Sequence, residues 1–371
     1  MLTLFLIAGE PSGDRLGAAL MAGLKLLTPV EFHGIGGPMM QAQGLTSLFP
    51  MAELSIMGLA EVLPKYFPLK RRIAEAARAV TSLNPAALIT IDSPDFCLRV
   101  ARLVRAANPQ QKTIHYVAPS VWAWRPHRAA KMARVIDHVL ALLPFEPPYM
   151  TAAGMTCDFV GHPVVSDPLA TEVERHLMDG TSPLILALPG SRRSEVTRLA
   201  PVIGQTLALI KARFPETRVA LPTVPHIADL VRDLTRDWPI RPQIIEDAST
   251  KRAAFACADV AVAASGTVSL ELAASGTPMI IAYDMHPITL WWTKRALLID
   301  TVTLVNLVSE TRTVPEFIGR DCKPDLIAPA LLTLLQTPDA QDAAMTLTMQ
   351  RLGQLGEPPG LRAARSVLAQ L

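Results

Sequence analysis

Residues 261–283, AVAASGTVSLELAASGTPMIIAY, set Ser265, Gly266 and Thr267 between an apolar run and a short helical stretch. A strand that ends in small residues and then opens a helix turns backbone N–H groups outward, an arrangement suited to a diphosphate. Glu271, one turn further on, puts a carboxylate where a ribose diol beside the phosphates would donate to it. An ordinary βαβ turn with Ser/Thr capping would carry the same small residues. A second turn of this kind, LALPGSRRSEV at 186–196, offers Gly190, Ser191 and Arg192. There a guanidinium can grip a phosphate through two parallel hydrogen bonds, or simply stand in solvent.

Carboxylates come from ALITIDSPDFCLRV, where an apolar run stops at Asp92 and Asp95 follows three residues later. At the carboxyl end of a parallel strand Asp92 is positioned to act as a general base toward a hydroxyl, whereas Asp95 can equally cap the next helix. LFLIAGEPSGDRLGAAL makes a third strand-turn-helix, with Gly9, Ser12 and Gly13 allowing close backbone approach and Asp14 near the helix start. It matches neither G-x-G-x-x-G nor G-x-S-x-G, so neither a dinucleotide fingerprint nor a hydrolase elbow is indicated.

Two amphipathic stretches remain. HYVAPSVWAWRPHRAAKMAR sets Trp122 and Trp124 among His115, Arg125, His127, Arg128, Lys131 and Arg134. These cations are either solvated or meet acidic headgroups or a sugar phosphate. LSIMGLAEVLPKYFPLKRR joins Ile56, Met57 and Leu59 to Lys65, Lys70, Arg71 and Arg72, an apolar patch beside cations that suits acyl chains as well as a core. Trp291, Trp292, Lys294 and Arg295 in HPITLWWTKRALLID form a similar segment.

The whole chain must position these groups. Its 371 residues suggest two domains, and 50% apolar with 5% aromatic residues is a globular composition. A net charge of +2 supplies no field for nucleic acid. The four cysteines form no C-x-x-C pair and the eight histidines no H-E-x-x-H, so no metal is expected. The opening MLTLFLIAGEP reads as a buried strand rather than a signal peptide, and no run reaches the ~18 apolar residues of a membrane span.

Short apolar runs alternate with helical patterns throughout, which predicts α/β architecture: two doubly wound, Rossmann-like domains facing a cleft. Strands are expected at 2–7, 32–35, 87–91, 113–117 and 139–142, and the pattern restarts at PLILALPGS. Pro, Gly and charge in GHPVVSDPLATEVERHLMDGTSP mark the linker. The predicted boundaries are 1–165, completed by the C-terminal helix 345–371, and 166–344.

AGEPSGD (8–14), IMGLAEVL (56–63), IDSPDF (91–96), HYVAPSVWAWRPHR (115–128), LPFE (143–146), FVGHP (159–163), LPGSR (188–192) and ASGTVSLE (264–271) stand in one order. In these motifs the chain resembles the lipid-A-disaccharide synthases, over nearly its whole length. The resemblance implies a B-type glycosyltransferase fold and an inverting, metal-independent transfer. UDP-2,3-diacylglucosamine would give its sugar to 2,3-diacylglucosamine 1-phosphate, forming a β-1',6-linked disaccharide 1-phosphate and UDP, with no cofactor.

It further implies that Asp92 and Arg192 are catalytic, and that Gly190, Ser191, Ser265, Gly266, Thr267, Glu271 and Asn306 bind the nucleotide sugar. Asn306 lies in LVNLV, with Val305 where the family usually has proline, and Gly319 stands where a polar residue is common. Gly9, Ser12, Gly13, Asp95, Met57, Leu59, Trp122, Trp124 and Arg125 are left for the acceptor and its acyl chains. Such substrates imply a cytoplasmic enzyme peripheral to the inner-membrane surface, compatible with a homo-oligomer in which the last helix exchanges between copies. Another sugar-nucleotide transferase or epimerase, or a non-catalytic nucleotide-sugar or lipid-binding protein, is the alternative.

Overall fold

The structure, a computed structural model, describes residues 1–54, 59–285 and 295–371, with backbone only for 59–66. Met57, Trp291, Trp292 and Lys294 lie outside the described residues, as does the side chain of Leu59. The described residues form two parallel sheets.

In the first, β1 (Leu2–Ala8), β2 (Val30–Ile35), β3 (Thr46–Ser47), β4 (Ala87–Ile91), β5 (Thr113–Tyr116), β6 (His138–Ala141) and β7 (Thr156–Phe159) take the order β3-β2-β1-β4-β5-β6-β7. The second holds β8 (Leu184–Leu188), β9 (Arg218–Pro222), β10 (Gln243–Ile245), β11 (Val260–Ala263), β12 (Met279–Tyr283) and β13 (Glu316–Ile318) in the order β10-β9-β8-β11-β12-β13. Helices cover both faces of a parallel sheet, so its central strands are continuous apolar runs. Every residue of β4 and of β8 is buried. Each Leu or Ile sequestered this way contributes about 1.5–3 kcal/mol relative to exposure.

The chain divides into two compact units, residues 1–166 with 352–371, and residues 167–351. Residues 345–351, expected with the closing helix of the first domain, belong instead to the helix Asp342–Arg351 of the second unit. The reason is local packing. Met345, Thr348 and Met349 are buried, Thr348 Oγ1 lies 3.3 Å from the Val305 carbonyl, and Arg351 donates to the Val308 carbonyl at 2.7 Å.

The helix Pro359–Ala369 does return to the first unit, where it packs against the helix Pro11–Leu27. Small residues set that contact. A Cβ on Gly23 would lie 2.7 Å from the Gly360 carbonyl oxygen, and one on Gly360 2.6 Å from that of Ala19. Ser366 Oγ donates to Asp158 Oδ2 at 2.6 Å and stands 2.8 Å from His138 Nε2, while Arg362 donates to the Phe159 carbonyl at 2.8 Å.

Candidate functional site

In each sheet the chain first runs outward and then returns to the other side of its starting strand. The return leaves a crevice at the carboxyl ends of β1 and β4 in the first unit and of β8 and β11 in the second. Ligands of open parallel sheets bind at such switch points.

The first crevice joins two of the expected segments. Gly9 follows β1 so closely against the turn after β4 that a Cβ on it would sit 2.5 Å from Ser93 Oγ. Gly13 makes ordinary contact distances to Ala8 and Ile91, seating its helix on both strands, and Ser12 is exposed. Asp92 and Ser93 both adopt left-handed backbone, with φ of 52° and 44°. For non-glycine residues each such conformation costs on the order of 1–3 kcal/mol, and it persists only where neighbours enforce it. Here the Asp92 N–H donates to the Tyr116 carbonyl at 3.0 Å, and the Asp92 carboxylate accepts the Ser93 N–H at 2.9 Å. The half-buried Asp92 side chain is thereby presented at the crevice. Asp95 is exposed in the first turn of the helix Pro94–Ala107, where its charge complements the helix dipole.

Asp14 has a structural task. Buried, it accepts the backbone N–H groups of Gly37, Met39 and Met40 at 2.9, 3.0 and 2.9 Å and so caps the helix Pro38–Ala42.

The tryptophan segment divides. Trp122 is buried, its Nε1 donating to Glu146 Oε1 at 3.2 Å and its ring meeting Phe145 edge-on at 5.0 Å. Trp124 is exposed, with the Arg125 guanidinium stacked 4.1 Å from its ring centroid. Glu146, which the motif LPFE contains but the reading of candidate residues missed, also accepts the N–H groups of Leu142 and Leu143 at 3.1 and 3.0 Å. Burial pushes its carboxyl up to about 7 against those hydrogen bonds. His115 bonds Thr90 Oγ1 through Nδ1 at 2.7 Å, and burial lowers its pKa to about 4, so it is neutral near pH 7.

In the second crevice Leu188 and Ala263 are cross-strand partners, which brings the two phosphate-type turns side by side. Gly190 takes φ 114°, a conformation only glycine adopts easily, and a Cβ there would also meet Glu195 Oε2 at 2.5 Å. Glu195 accepts the N–H groups of Ser191 and Arg192 at 3.2 and 3.3 Å and pairs with Arg192 Nη1 at 3.1 Å. Arg192 thus stands as the N-cap residue of the helix Arg193–Arg213, with 64% of its side chain exposed.

Across the crevice, Ser265 Oγ donates to the Val302 carbonyl at 3.2 Å, and Thr267 precedes the helix Val268–Ser275. Gly266 is exposed, its backbone lies outside the left-handed region, and a Cβ on it would meet nothing within 4 Å. No protein contact therefore requires glycine there. Glu271 is half-buried and paired with Lys251 Nζ at 2.6 Å.

Asn306 is spoken for by the protein. It is buried, donates to Thr301 Oγ1 and the Val314 carbonyl at 3.2 and 2.9 Å, and accepts the Val314 N–H at 3.0 Å. With those bonds made, it braces the segment that Glu316 also holds through the N–H groups of Val302 and Thr303. Among the described residues no cluster of three or more His, Cys, Asp or Glu is placed to hold a metal ion, and no helix is long and apolar enough to cross a membrane.

Two doubly wound units, each with a furnished switch point, define the B-type glycosyltransferase class of fold, which sugar-nucleotide epimerases share. Solved structures agree. A UDP-GlcNAc 2-epimerase from Neisseria meningitidis, bound to UDP-GlcNAc, superposes with a TM-score of 0.66 at 12% identity, covering 100% of this chain and 99% of that one. A glycosyltransferase from Rickettsia africae does so at 0.62 and 12%, covering 100% and 97%. The family profile of Lipid-A-disaccharide synthetase matches residues 4–368. A lipid-A-disaccharide synthase from Ruegeria pomeroyi is 61% identical over 385 residues, covering 100% of this chain and 96% of the relative. The chain belongs to the lipid-A-disaccharide synthetase family, and with it to the UDP-sugar glycosyltransferases.

Proposed function

We propose that the chain joins two acylated glucosamines: UDP-2,3-diacylglucosamine gives its sugar to the 6-hydroxyl of 2,3-diacylglucosamine 1-phosphate, with inversion at the anomeric carbon. Asp92 carries this reading, because its carboxylate stands beside a switch point at the first of two successive left-handed backbone positions, each held at an energetic cost. In the reaction the Asp92 carboxylate takes the proton of the acceptor hydroxyl. The hydroxyl oxygen bonds to the anomeric carbon, and the bond from that carbon to the diphosphate breaks, releasing UDP.

The turns at Gly190 and Ser191 and at Ser265, Gly266 and Thr267 would receive the diphosphate on backbone N–H groups, the Ser191 N–H exchanging Glu195 for phosphate, and Gly266, with nothing within 4 Å of an added Cβ, leaves room for a ligand to approach. Glu271 would accept from the ribose, exchanging its Lys251 partner for a hydroxyl. Arg192, with most of its side chain in solvent, would turn from Glu195 to the departing diphosphate and do the work a metal ion does in other transferases. Asn306 acts by bracing that unit rather than by touching the nucleotide. Gly9, Ser12, Gly13, Asp95, Trp124 and Arg125 would surround the acceptor sugar and its phosphate, with Trp122 holding their loop, and Met57 and Leu59 would meet acyl chains. The substrates are lipids, so the protein would work at the cytoplasmic face of the inner membrane.

The test is direct. Purified protein is incubated with both lipids in detergent micelles and EDTA, and products are followed by mass spectrometry. Disaccharide 1-phosphate plus UDP is expected; a folded sample that binds UDP yet forms no disaccharide would overturn the acceptor assignment.

A further inference from the structure

Glu316 opens β13, and the register of the second sheet sets it level with Ile281 of β12 and, one strand further, with Ala263, the last residue of β11. Residues 301–303 join this carboxylate to the turn that follows β11. The half-buried Glu316 side chain accepts the Thr303 N–H at 2.8 Å, the Val302 N–H at 3.0 Å and the Thr301 hydroxyl. The Thr303 N–H shares its peptide unit with the Val302 carbonyl, and that carbonyl accepts Ser265 Oγ at 3.2 Å. A single peptide group is therefore bonded to a carboxylate on its N–H side and to the phosphate-type turn on its C=O side.

Hydrogen-bond chemistry gives this relay a direction. A charged acceptor on an amide N–H polarises the amide and strengthens the bond that its carbonyl receives. A carbonyl cannot donate, so Ser265 commits its one hydroxyl proton to Val302. Ser265 Oγ is left with lone pairs alone, and an ionised phosphate oxygen, which carries no proton, cannot bond to them. The N–H groups of Gly266, Thr267 and Val268, by contrast, make no hydrogen bond among the described residues. The turn after β8 is held differently. There Glu195 bonds the Ser191 and Arg192 N–H groups directly and occupies donors that a phosphate would need. Glu316 holds its turn at one peptide's remove, which leaves the donors open.

We infer that Glu316 is a positioning residue for the nucleotide: through the Val302–Thr303 peptide it fixes the Ser265 hydroxyl, and so sets the N–H groups of Gly266, Thr267 and Val268 for the diphosphate. Ser265 serves by giving its proton to the protein, not by a bond to phosphate. The inference rests on the UDP-sugar reading proposed above and specifies which atoms of the turn meet the ligand.

Calorimetry of the full chain with UDP tests it. Misplacing one backbone N–H bond to a charged group costs about tenfold in affinity, so Glu316→Gln and Ser265→Ala should each weaken UDP binding by about that factor. The two act through one peptide, so the double variant should also lose about tenfold, where independent contacts would lose about a hundredfold. Amide exchange at residues 266–268, measured without nucleotide, should quicken in both single variants. In turnover the donor KM should rise while the acceptor KM stays at the unsubstituted value. A hundredfold loss in the double variant overturns the inference, as does unchanged UDP affinity in folded Glu316→Gln. Weaker binding by Ser265→Ala with unaltered exchange also overturns it, by making the hydroxyl a ligand contact, and this comparison decides alone if Glu316→Gln does not fold. If the unsubstituted protein binds UDP but makes no disaccharide, the affinities still decide the inference and only the proposed reaction falls; a protein that binds no UDP overturns both.

Discussion

At the β1/β4 switch point two consecutive non-glycine residues, Asp92 and Ser93, hold φ of 52° and 44°, while at β8/β11 the left-handed position is filled by Gly190 at φ 114°. Glycine accepts that angle without a Cβ penalty, whereas each of the other two costs on the order of 1–3 kcal/mol. The first crevice therefore keeps a side chain at the cost of strain, and the second uses glycine where the backbone turns closely against Glu195. The two positions do not correspond, since Asp92 and Ser93 follow β4 and Gly190 follows β8, yet each unit marks its crevice: the first with a half-buried carboxylate, the second with a glycine turn.

Four substitutions separate these roles, beginning with the largest effect. Asp92→Asn should lower kcat by ~10²- to 10⁴-fold, as loss of a general base does, and leave UDP affinity by calorimetry unchanged. A variant that turned over normally would remove the carboxylate from the chemistry and erase the contrast. Gly266→Ala acts on the other side. With open space around the new methyl group, stability should move by no more than about 0.5 kcal/mol. A backbone hydrogen bond to a charged group is worth about 1.5–3 kcal/mol, so blocking one should weaken UDP binding about tenfold or more. Equal affinities would mean that the phosphates lie elsewhere.

Glu146 supplies a pH test within the first unit. Burial raises its carboxyl from 4.5 to about 7, so between those values the folded chain holds a proton that the unfolded chain has released. That contribution to stability is full below about pH 4.5 and is lost as pH rises toward 7. Glu146→Gln should flatten the fall in urea midpoint over this window and shift Trp122 fluorescence; an unaltered slope would show that the three N–H donors outweigh desolvation. The smallest effect belongs to Ser93→Gly, where relief of the left-handed angle, reduced by the added freedom of the unfolded chain, should leave a gain of about 1 kcal/mol. A loss in Tm would mean that the turn is not strained.

The parallel strands were legible because a strand buried on both faces has to be a continuous apolar run, as ALITI and LILAL are. The turns at their carboxyl ends stood out for the same reason, since Gly190, Ser265 and Gly266 interrupt apolar sequence abruptly. Side-chain duties were harder to read because they depend on partners far along the chain. Asp14 is explained by Gly37, Met39 and Met40, more than twenty residues away, and Trp122 by Glu146. Asn306 is bonded through its amide to Thr301 and Val314, partners that no local pattern announces. Backbone angles at Asp92 and Ser93 have no compositional signature at all, since neither residue is glycine.

The helix Pro359–Ala369 gives the first unit an unusual schedule of manufacture. Residues 1–166 leave the ribosome with the surface of Ala19 and Gly23 uncovered, and the segment that covers it begins only at residue 352. At synthesis rates of about 5–20 residues per second the wait is on the order of 10–40 s, long enough for residues 167–351 to fold first. The half of the chain that is translated first is then the half that is finished last, and a nascent chain stalled anywhere in the second unit would display an apolar seam awaiting its own tail.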